Sequence, residues 1–154
     1  MDNHNHALSF RYQHTKSYKN NDEAKPFVVI HIDQHADTKP NNEIIRGNIE
    51  HFVHEKTNVG NFISAARNNT IIDEVVQIRS EYALHNIQKL NFLEYNYIID
   101  IDIDFWEGKT DKEIQTDISI IKTLIKNACL ITIATSPYFI DQKRALEIIH
   151  MMLQ

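Results

Sequence analysis

The sequence YIIDIDIDFWEG, at residues 97–108, predicts a buried strand that carries acidic side chains. Its apolar residues do not alternate with polar ones as they would on a half-exposed strand, which is typical of a strand buried in a parallel sheet. Asp100, Asp102 and Asp104 recur at every second residue, so a strand over 96–104 would place all three on one face. Three buried carboxylates repel one another and have lost their hydration. Their burial therefore costs free energy unless a cation pairs with them. The stretch therefore predicts a site for a divalent cation.

A second stretch, FVVIHIDQHAD at residues 27–37, has the same character. An apolar strand is followed directly by Asp33, His35 and Asp37. In open α/β sheets the ligand crevice lies outside the carboxyl ends of the strands, so the two acidic clusters would meet there. The DNHNH segment at residues 2–6 adds two imidazoles. A mixed set of carboxylates and imidazoles favours Mn, Zn or Fe(II) over Ca or Mg.

The rest of the chain alternates predicted strands with predicted helices. Strands are predicted over residues 27–32, 71–79, 96–104 and 128–135, and helices from residues 58–61 onward and over 110–127 and 141–153. Residues 7–18 fit either a strand or a helix, residues 82–90 a short helix or a loop, and residues 17–26 a polar surface connection. Residues 38–58 have no clear period, so we expect a long loop over the crevice, carrying His51 and His54. Together these patterns predict an α/β fold with three α/β/α layers around a mostly parallel sheet, in one domain over residues 1–154.

The composition limits the classes of partner. The formal net charge of −5 argues against a nucleic-acid partner. No apolar run approaches the roughly 20 residues of a membrane span, and the start lacks a signal-peptide pattern, so we expect no membrane association. The single cysteine, Cys129, cannot form an internal disulfide, so we expect a cytoplasmic location. Oligomerisation stays open.

Two motifs resemble those of the arginase (ureohydrolase) superfamily. DQHAD at residues 33–37 resembles the family's Asp-Ala-His-x-Asp motif, and DIDFWEG at residues 102–108 resembles its Asp-x-Asp-x-x-Asp-Pro motif. GNIEH at residues 47–51 is similar to the family's Gly-Asn-Leu-His segment with one residue inserted, and NHAL at residues 5–8 to the segment with its first histidine ligand. The whole chain is similar to a small branch of peptide arginases, which convert arginine side chains of ribosomal precursor peptides to ornithine and urea.

The resemblance implies a compact arginase-like fold and two Mn²⁺ ions per chain. The six implied ligands are His6, Asp33, His35, Asp37, Asp102 and Asp104. Asp33 and Asp102 would bridge both ions, and His4 is the alternative to His6. Two such ions activate a water for attack on the guanidinium carbon, which also gives Asp33 a catalytic role.

The resemblance also implies roles for residues outside the ligand set. His51 would move the proton to the departing amine, with His54 as the alternative. The family's guanidinium-binding glutamate falls where Ala134 stands. The acids proposed for that role are Asp141, Glu107 and Asp100. Asp100 has a second interpretation, as an acid that orients a histidine ligand.

The expected partner is an arginine-containing precursor peptide, since a shorter and more open crevice than that of an ordinary arginase suits an arginine within a peptide. Two other classes stay open. A non-catalytic metal-containing module could bind such a peptide without hydrolysing it. The Asp-x-His-x-His pattern at residues 2–6 also resembles the metal motif of amidohydrolases and related phosphoesterases, but those barrels usually need about 200 residues or more.

Overall fold

The computed structural model describes residues 1–18, 25–92 and 94–154, so that most of the predicted surface connection over 17–26 lies outside the described residues. At its centre is a four-stranded, fully parallel sheet in the order β2-β1-β3-β4. The strands are β1 (Phe27–Ile32), β2 (Glu74–Ile78), β3 (Asn96–Asp102) and β4 (Leu130–Ala134).

Helices cover both faces of the sheet, which confirms the predicted three-layer α/β/α class. One face carries α1 (Ala7–Tyr18), α2 (Ile49–Lys56) and α3 (Phe62–Asn68). The other face carries α4 (Glu81–Asn86), α5 (Asp111–Ile125) and α6 (Gln142–Leu153). Short 3-10 helices lie at His4–His6, Ile87–Lys89 and Ile103–Trp106. In the described parts of the chain, no helix is both long and apolar enough to cross a membrane.

The two faces of the central strands differ, and the difference positions the site. The side chains that point towards α4–α6, such as Ile30 and Ile101, are apolar along the whole strand. On the opposite face the strands begin apolar, with Val29 beside Ile98, and end polar, with His31 paired in register with Asp100. This polar end is therefore enclosed between the sheet and the helices of the α1–α3 layer.

The strand order produces a crevice at the same place. β1 connects to β2 on one side, whereas β3 lies on the other side of β1, so the direction of the chain across the sheet reverses between β1 and β3. In open α/β sheets ligands bind at such a reversal, outside the carboxyl ends of the strands. Both acidic clusters leave the sheet at this point.

Local structure departs from the sequence predictions in two segments and decides between the two alternatives left open for a third. Residues 7–18 are a helix, with Arg11 fully buried on its inner side. The expected loop over 38–58 contains α2, because the Asn48 side chain caps its first turn by accepting a hydrogen bond from the His51 backbone N–H at 2.9 Å. The strand expected over 96–104 ends at Asp102, whose Oδ1 accepts the Asp104 N–H at 3.1 Å and begins a 3-10 turn.

Candidate metal centre

Asp33 and Asp102 lie side by side at the carboxyl ends of β1 and β3. The sheet register pairs Ile32 with Ile101. Asp33 directly follows Ile32, and Asp102 directly follows Ile101. Asp33 is 1% and Asp102 5% exposed, so both have lost nearly all contact with water. Buried carboxylates of this kind need cationic or hydrogen-bonding partners.

A first donor group forms around His4, which is 2% exposed. Its Nδ1 lies 3.2 Å from Asp33 Oδ2, 3.2 Å from Asp102 Oδ2 and 3.7 Å from Asp37 Oδ2. The ligand atoms of His4, Asp33 and Asp102 all lie within 4.8 Å of one another, close enough to hold one metal ion. The structure thus corrects the choice of His6: the 3-10 turn directs His4 inward and leaves His6 exposed.

A second donor group forms around His35. Its Nδ1 lies 3.2 Å from Asp33 Oδ1 and 3.4 Å from Asp104 Oδ2. These three ligand atoms also lie within 4.8 Å of one another, and the imidazole is about half exposed towards solvent. Asp33 therefore turns Oδ2 to the first group and Oδ1 to the second, which is the arrangement of a carboxylate that bridges two ions.

Two residues beside the donor groups adopt left-handed backbone conformations. Asp37 has a φ of 53° and Ser136 a φ of 43°, both in the left-handed region that costs free energy for residues other than glycine. The turn at Asp37 brings its carboxylate back towards His4. The Ser136 hydroxyl donates a hydrogen bond to Asp102 Oδ2. The strain thus positions polar atoms of the site.

Two of the carboxyl groups hold protons more tightly than usual. Burial, reinforced by the negative charge of Asp33, raises the pKa of Asp37 to about 8. Burial, reinforced by the charges of Asp102 and Asp33, raises the pKa of Asp104 to about 7. For His4, burial alone would lower the pKa, but the charge of Asp100 and hydrogen bonds to the surrounding carboxylates raise it well above its ordinary value. The centre thus retains protons that a metal ion would displace.

We therefore expect the affinity for Mn²⁺ to fall as the pH falls. The carboxyls of Asp37 and Asp104 must be ionised to bind a cation, and protons compete with the metal below their raised pKa values of about 8 and about 7. Titration calorimetry in buffers of different ionisation enthalpy should show proton release on binding near neutral pH, and weaker binding at about pH 6 than at about pH 8.5. Affinity that does not change over this range would contradict the prediction.

Asp100 lies beneath the two donor groups and is fully buried. Its Oδ2 is 2.5 Å from Arg11 Nη2, 2.7 Å from His31 Nδ1 and 2.9 Å from His4 Nε2, and its Oδ1 accepts the Thr132 hydroxyl at 2.5 Å. Although burial alone would raise the pKa of Asp100, the charges of Arg11 and His4 hold it well below its ordinary value. Asp100 therefore orients two histidines, and the structure corrects its assignment as a substrate-binding acid.

An open cleft of about 530 Å³ lies above the donor groups. Its floor carries Asp33, Asp37, Asp102 and Asp104, and its wall includes the exposed side chains of Val59, Tyr138 and Phe139. Lys39 and Arg79 also line it, and neither has a carboxylate within 4.0 Å among the described residues. The acidic floor is thus surrounded by apolar and cationic surface.

The other side chains assigned from the resemblance lie outside this cleft. His51 is exposed on α2 and lines a separate depression with Arg46 and Lys56, and His54 is exposed beside Glu55. Glu107 lines a neighbouring groove with Phe105 and Lys109. Asp141 caps α6, where its Oδ1 accepts the Arg144 N–H at 3.0 Å. The structure thus corrects the expectation that His51, Glu107 and Asp141 line the cleft at the donor groups.

Among the described residues of the cleft wall, Asp2 is the acid that belongs to neither donor group. Its Oδ1 accepts the Thr135 hydroxyl at 3.0 Å. The Thr135 backbone N–H also donates to the Met1 carbonyl at 2.9 Å, which holds this segment at the end of β4. Only its position beside His4 in the sequence could have indicated Asp2, because the contact with β4 spans almost the whole chain.

The donor set and two buried atoms fit a bound metal. His31 Nε2 and Asp104 Oδ1 are buried without a hydrogen-bond partner among the described residues. Buried polar atoms normally have a partner, and a cation between the carboxylates would provide one. No family model matches the chain, and no curated protein matches it either. The interpretation of the centre therefore depends on its own chemistry.

Proposed function

We propose that the chain is an arginase-like metallohydrolase that holds two divalent cations, taken to be Mn²⁺, and converts arginine residues of a precursor peptide to ornithine and urea. The observation that carries the proposal is the position of Asp33, whose two carboxylate oxygens belong to different donor groups. The resemblance to the arginase superfamily implies this same bridging role for Asp33. His4 takes the place of the first histidine ligand.

The charge of the buried centre supports two ions rather than one. Among the described residues, five carboxylates are buried there, and Arg11 is the one guanidinium buried with them. These carboxylates are Asp33, Asp37, Asp100, Asp102 and Asp104. The excess of four negative charges would be neutralised by two divalent cations with the histidines neutral. When bound, such ions acidify a water for attack on an electrophilic carbon.

The side chains of the cleft suit a cationic group on a larger molecule. A guanidinium needs an acidic partner, and Asp2 in the cleft wall can accept hydrogen bonds from it. Tyr138 is 89% and Phe139 51% exposed beside the floor, where they can contact the residues that flank an arginine in a peptide. Because neither His51 nor His54 lines the cleft, the departing amine would take its proton from water in the open cleft.

The test is a urea assay on protein loaded with Mn²⁺, with an arginine-containing peptide and, separately, with free arginine. We expect urea from the peptide only. A second candidate function is a metal-containing module that binds the peptide without hydrolysing it, and the position of His51 outside the cleft favours it. Two bound ions with peptide binding and no urea would support this second function and reject the hydrolase.

Replacing Asp2 by Asn should weaken binding of the peptide substrate. The substitution keeps the shape of the side chain but removes a charge-assisted hydrogen bond, so kcat/KM should fall about 10- to 100-fold, mainly through KM. Metal content should not change, because Asp2 belongs to neither donor group. The matched control is Asp141→Asn, which removes an exposed acid outside the cleft. Equal kinetics of the two variants would contradict the role of Asp2.

We also propose that the protein acts in the cytoplasm. Cys129, the single cysteine, is half-buried, and its Sγ lies 3.2 Å from the Tyr97 carbonyl oxygen. Burial raises the pKa of its thiol, which disfavours the reactive thiolate. These properties are those of a packing residue that needs no oxidising compartment.

A further inference from the structure

His31 is a fully buried imidazole to which neither the sequence motifs nor the proposed reaction gives a role. It lies on β1 opposite Asp100 in register. Its ring stacks on that of His4 at a centroid distance of 5.2 Å, and the Phe62 ring lies 6.0 Å away. These contacts fix the orientation of the imidazole, so the directions of its two nitrogens are determined.

The contact with Asp100 determines which nitrogen of the His31 ring carries the proton. His31 Nδ1 lies 2.7 Å from Asp100 Oδ2. An ionised carboxylate only accepts hydrogen bonds, and Arg11 beside it favours the ionised form, so Nδ1 must carry the proton. In the neutral imidazole Nε2 then presents a lone pair, as it does in histidines that bind metals.

This lone pair points at the first donor group. Nε2 lies 3.5 Å from Asp33 Oδ2 and 3.9 Å from Asp37 Oδ2, and it has no hydrogen-bond partner among the described residues. Three atoms with free electron pairs that converge in a buried space repel one another unless a proton or a metal cation lies between them. The ligand atoms of His31, Asp33 and Asp37 all lie within 4.8 Å of one another.

We propose that His31 Nε2 is a further ligand of the cation held by the first donor group, which is His4, Asp33 and Asp102, with Asp37 beside it. The proposal depends on the metal centre proposed above but not on hydrolysis. It makes the two metal positions unequal. The inner position, at the first donor group, then has two imidazole ligands, whereas the outer position, at the second donor group, has only that of His35. Imidazole ligands favour Zn, Fe and Co over Mg and Ca, so the inner position should select such ions more strongly than the outer one.

Two substitutions separate metal binding from packing. In His31→Asn the amide nitrogen can take the position of Nδ1 and donate to Asp100, but no atom reaches the position of Nε2. In His31→Gln the longer side chain can place an oxygen near that position. The matched control is His85→Asn, because His85 also contacts a buried carboxylate, with its Nε2 2.8 Å from Asp117 Oδ1, but lies outside the centre.

The measurements are Co²⁺ content, Co²⁺ affinity and the visible absorption of the bound Co²⁺. We expect His31→Asn to bind one ion as the unmodified protein does and the other at least about tenfold more weakly, with an altered spectrum. His31→Gln should recover part of the affinity, and His85→Asn should match the unmodified protein. An unchanged affinity and spectrum in His31→Asn would reject the role of His31, whereas no Co²⁺ in the unmodified protein would reject the metal centre itself.

A measurement on the unmodified chain covers the case in which the variants do not fold. The chain has nine histidines, which can be labelled with ¹⁵N and observed by NMR as Zn²⁺ is added. We expect three imidazoles, those of His4, His31 and His35, to show the nitrogen shift of a metal ligand. A shift confined to two imidazoles, with His31 unchanged, would overturn the proposal.

Discussion

Asp33→Ala is expected to abolish binding of both cations and to reduce urea formation to the background rate. Asp33 is the carboxylate whose oxygens belong to both donor groups, so its removal takes a ligand from each position. Oδ1 also accepts the His35 backbone N–H at 2.6 Å, which holds the second histidine in place. Metal analysis of the purified protein after loading with Mn²⁺ measures the first effect, and the urea assay measures the second.

Two further variants make this result specific to the shared carboxylate. Asp104→Ala removes a ligand from the second group only, so one ion should remain. Asp73→Ala removes an exposed acid whose Oδ2 accepts the Phe27 N–H at the start of β1, far from the crevice, and should leave both ions in place. Two ions retained by Asp33→Ala would contradict the bridging role.

Arg11→Met is expected to destabilise the fold by about 3–5 kcal/mol, because it leaves the buried charge of Asp100 without its guanidinium partner. Both side chains are 0% exposed, so water cannot replace the lost interaction. The Arg11 guanidinium also lies 5.2 Å from the centre of the Phe62 ring, a contact that methionine would only partly restore.

Denaturation by urea in the presence of a chelator measures this free energy of unfolding without a contribution from bound metal. Arg67→Met is the control, since it makes the same chemical change at an exposed position of α3. A free energy of unfolding for Arg11→Met within about 1 kcal/mol of that control would contradict the account of the buried pair. Such a result would also question the orientation of His4 and His31 by Asp100.

The sheet and the acidic part of the centre could be predicted from local pattern. Runs of isoleucine and valine that end in carboxylates indicate buried parallel strands, and the rule for open α/β sheets places their carboxyl ends together. This reasoning brought Asp33, His35, Asp37, Asp102 and Asp104 to one crevice, where the structure places them. The prediction placed Asp104 on the strand, but its carboxylate contacts His35 from a 3-10 turn that follows the strand.

The histidines were harder to place because their direction depends on tertiary packing. His4 and His6 are two residues apart, and only the turn before α1 decides which faces the sheet. On α2, Ile49, Phe52 and Val53 follow helical spacing and pack into the core. That packing turns His51 and His54 to the solvent. The resemblance of the GNIEH segment to a family motif could not reveal this orientation.

Arg11 had no signal in the sequence that separates it from surface residues, and Asp2 had only its position in the DNHNH segment. Arginine is rarely fully buried, so a charged residue in an ambiguous helical segment is normally assigned to the surface. Arg11 is buried because Asp100, 89 positions further along the chain, lies opposite it. Asp2 likewise enters the cleft through a contact with Thr135 near the other end of the chain. Such long-range pairs become visible only once the sheet order is known.

The central claim, that Asp33 bridges two cations, is tested most directly by X-ray diffraction from crystals of the Mn²⁺-loaded protein at the manganese absorption edge. The account predicts two anomalous peaks, one on each side of the Asp33 carboxylate. The first should lie among His4, His31, Asp37 and Asp102, and the second between His35 and Asp104. A single peak, or peaks that do not contact Asp33, would contradict the claim.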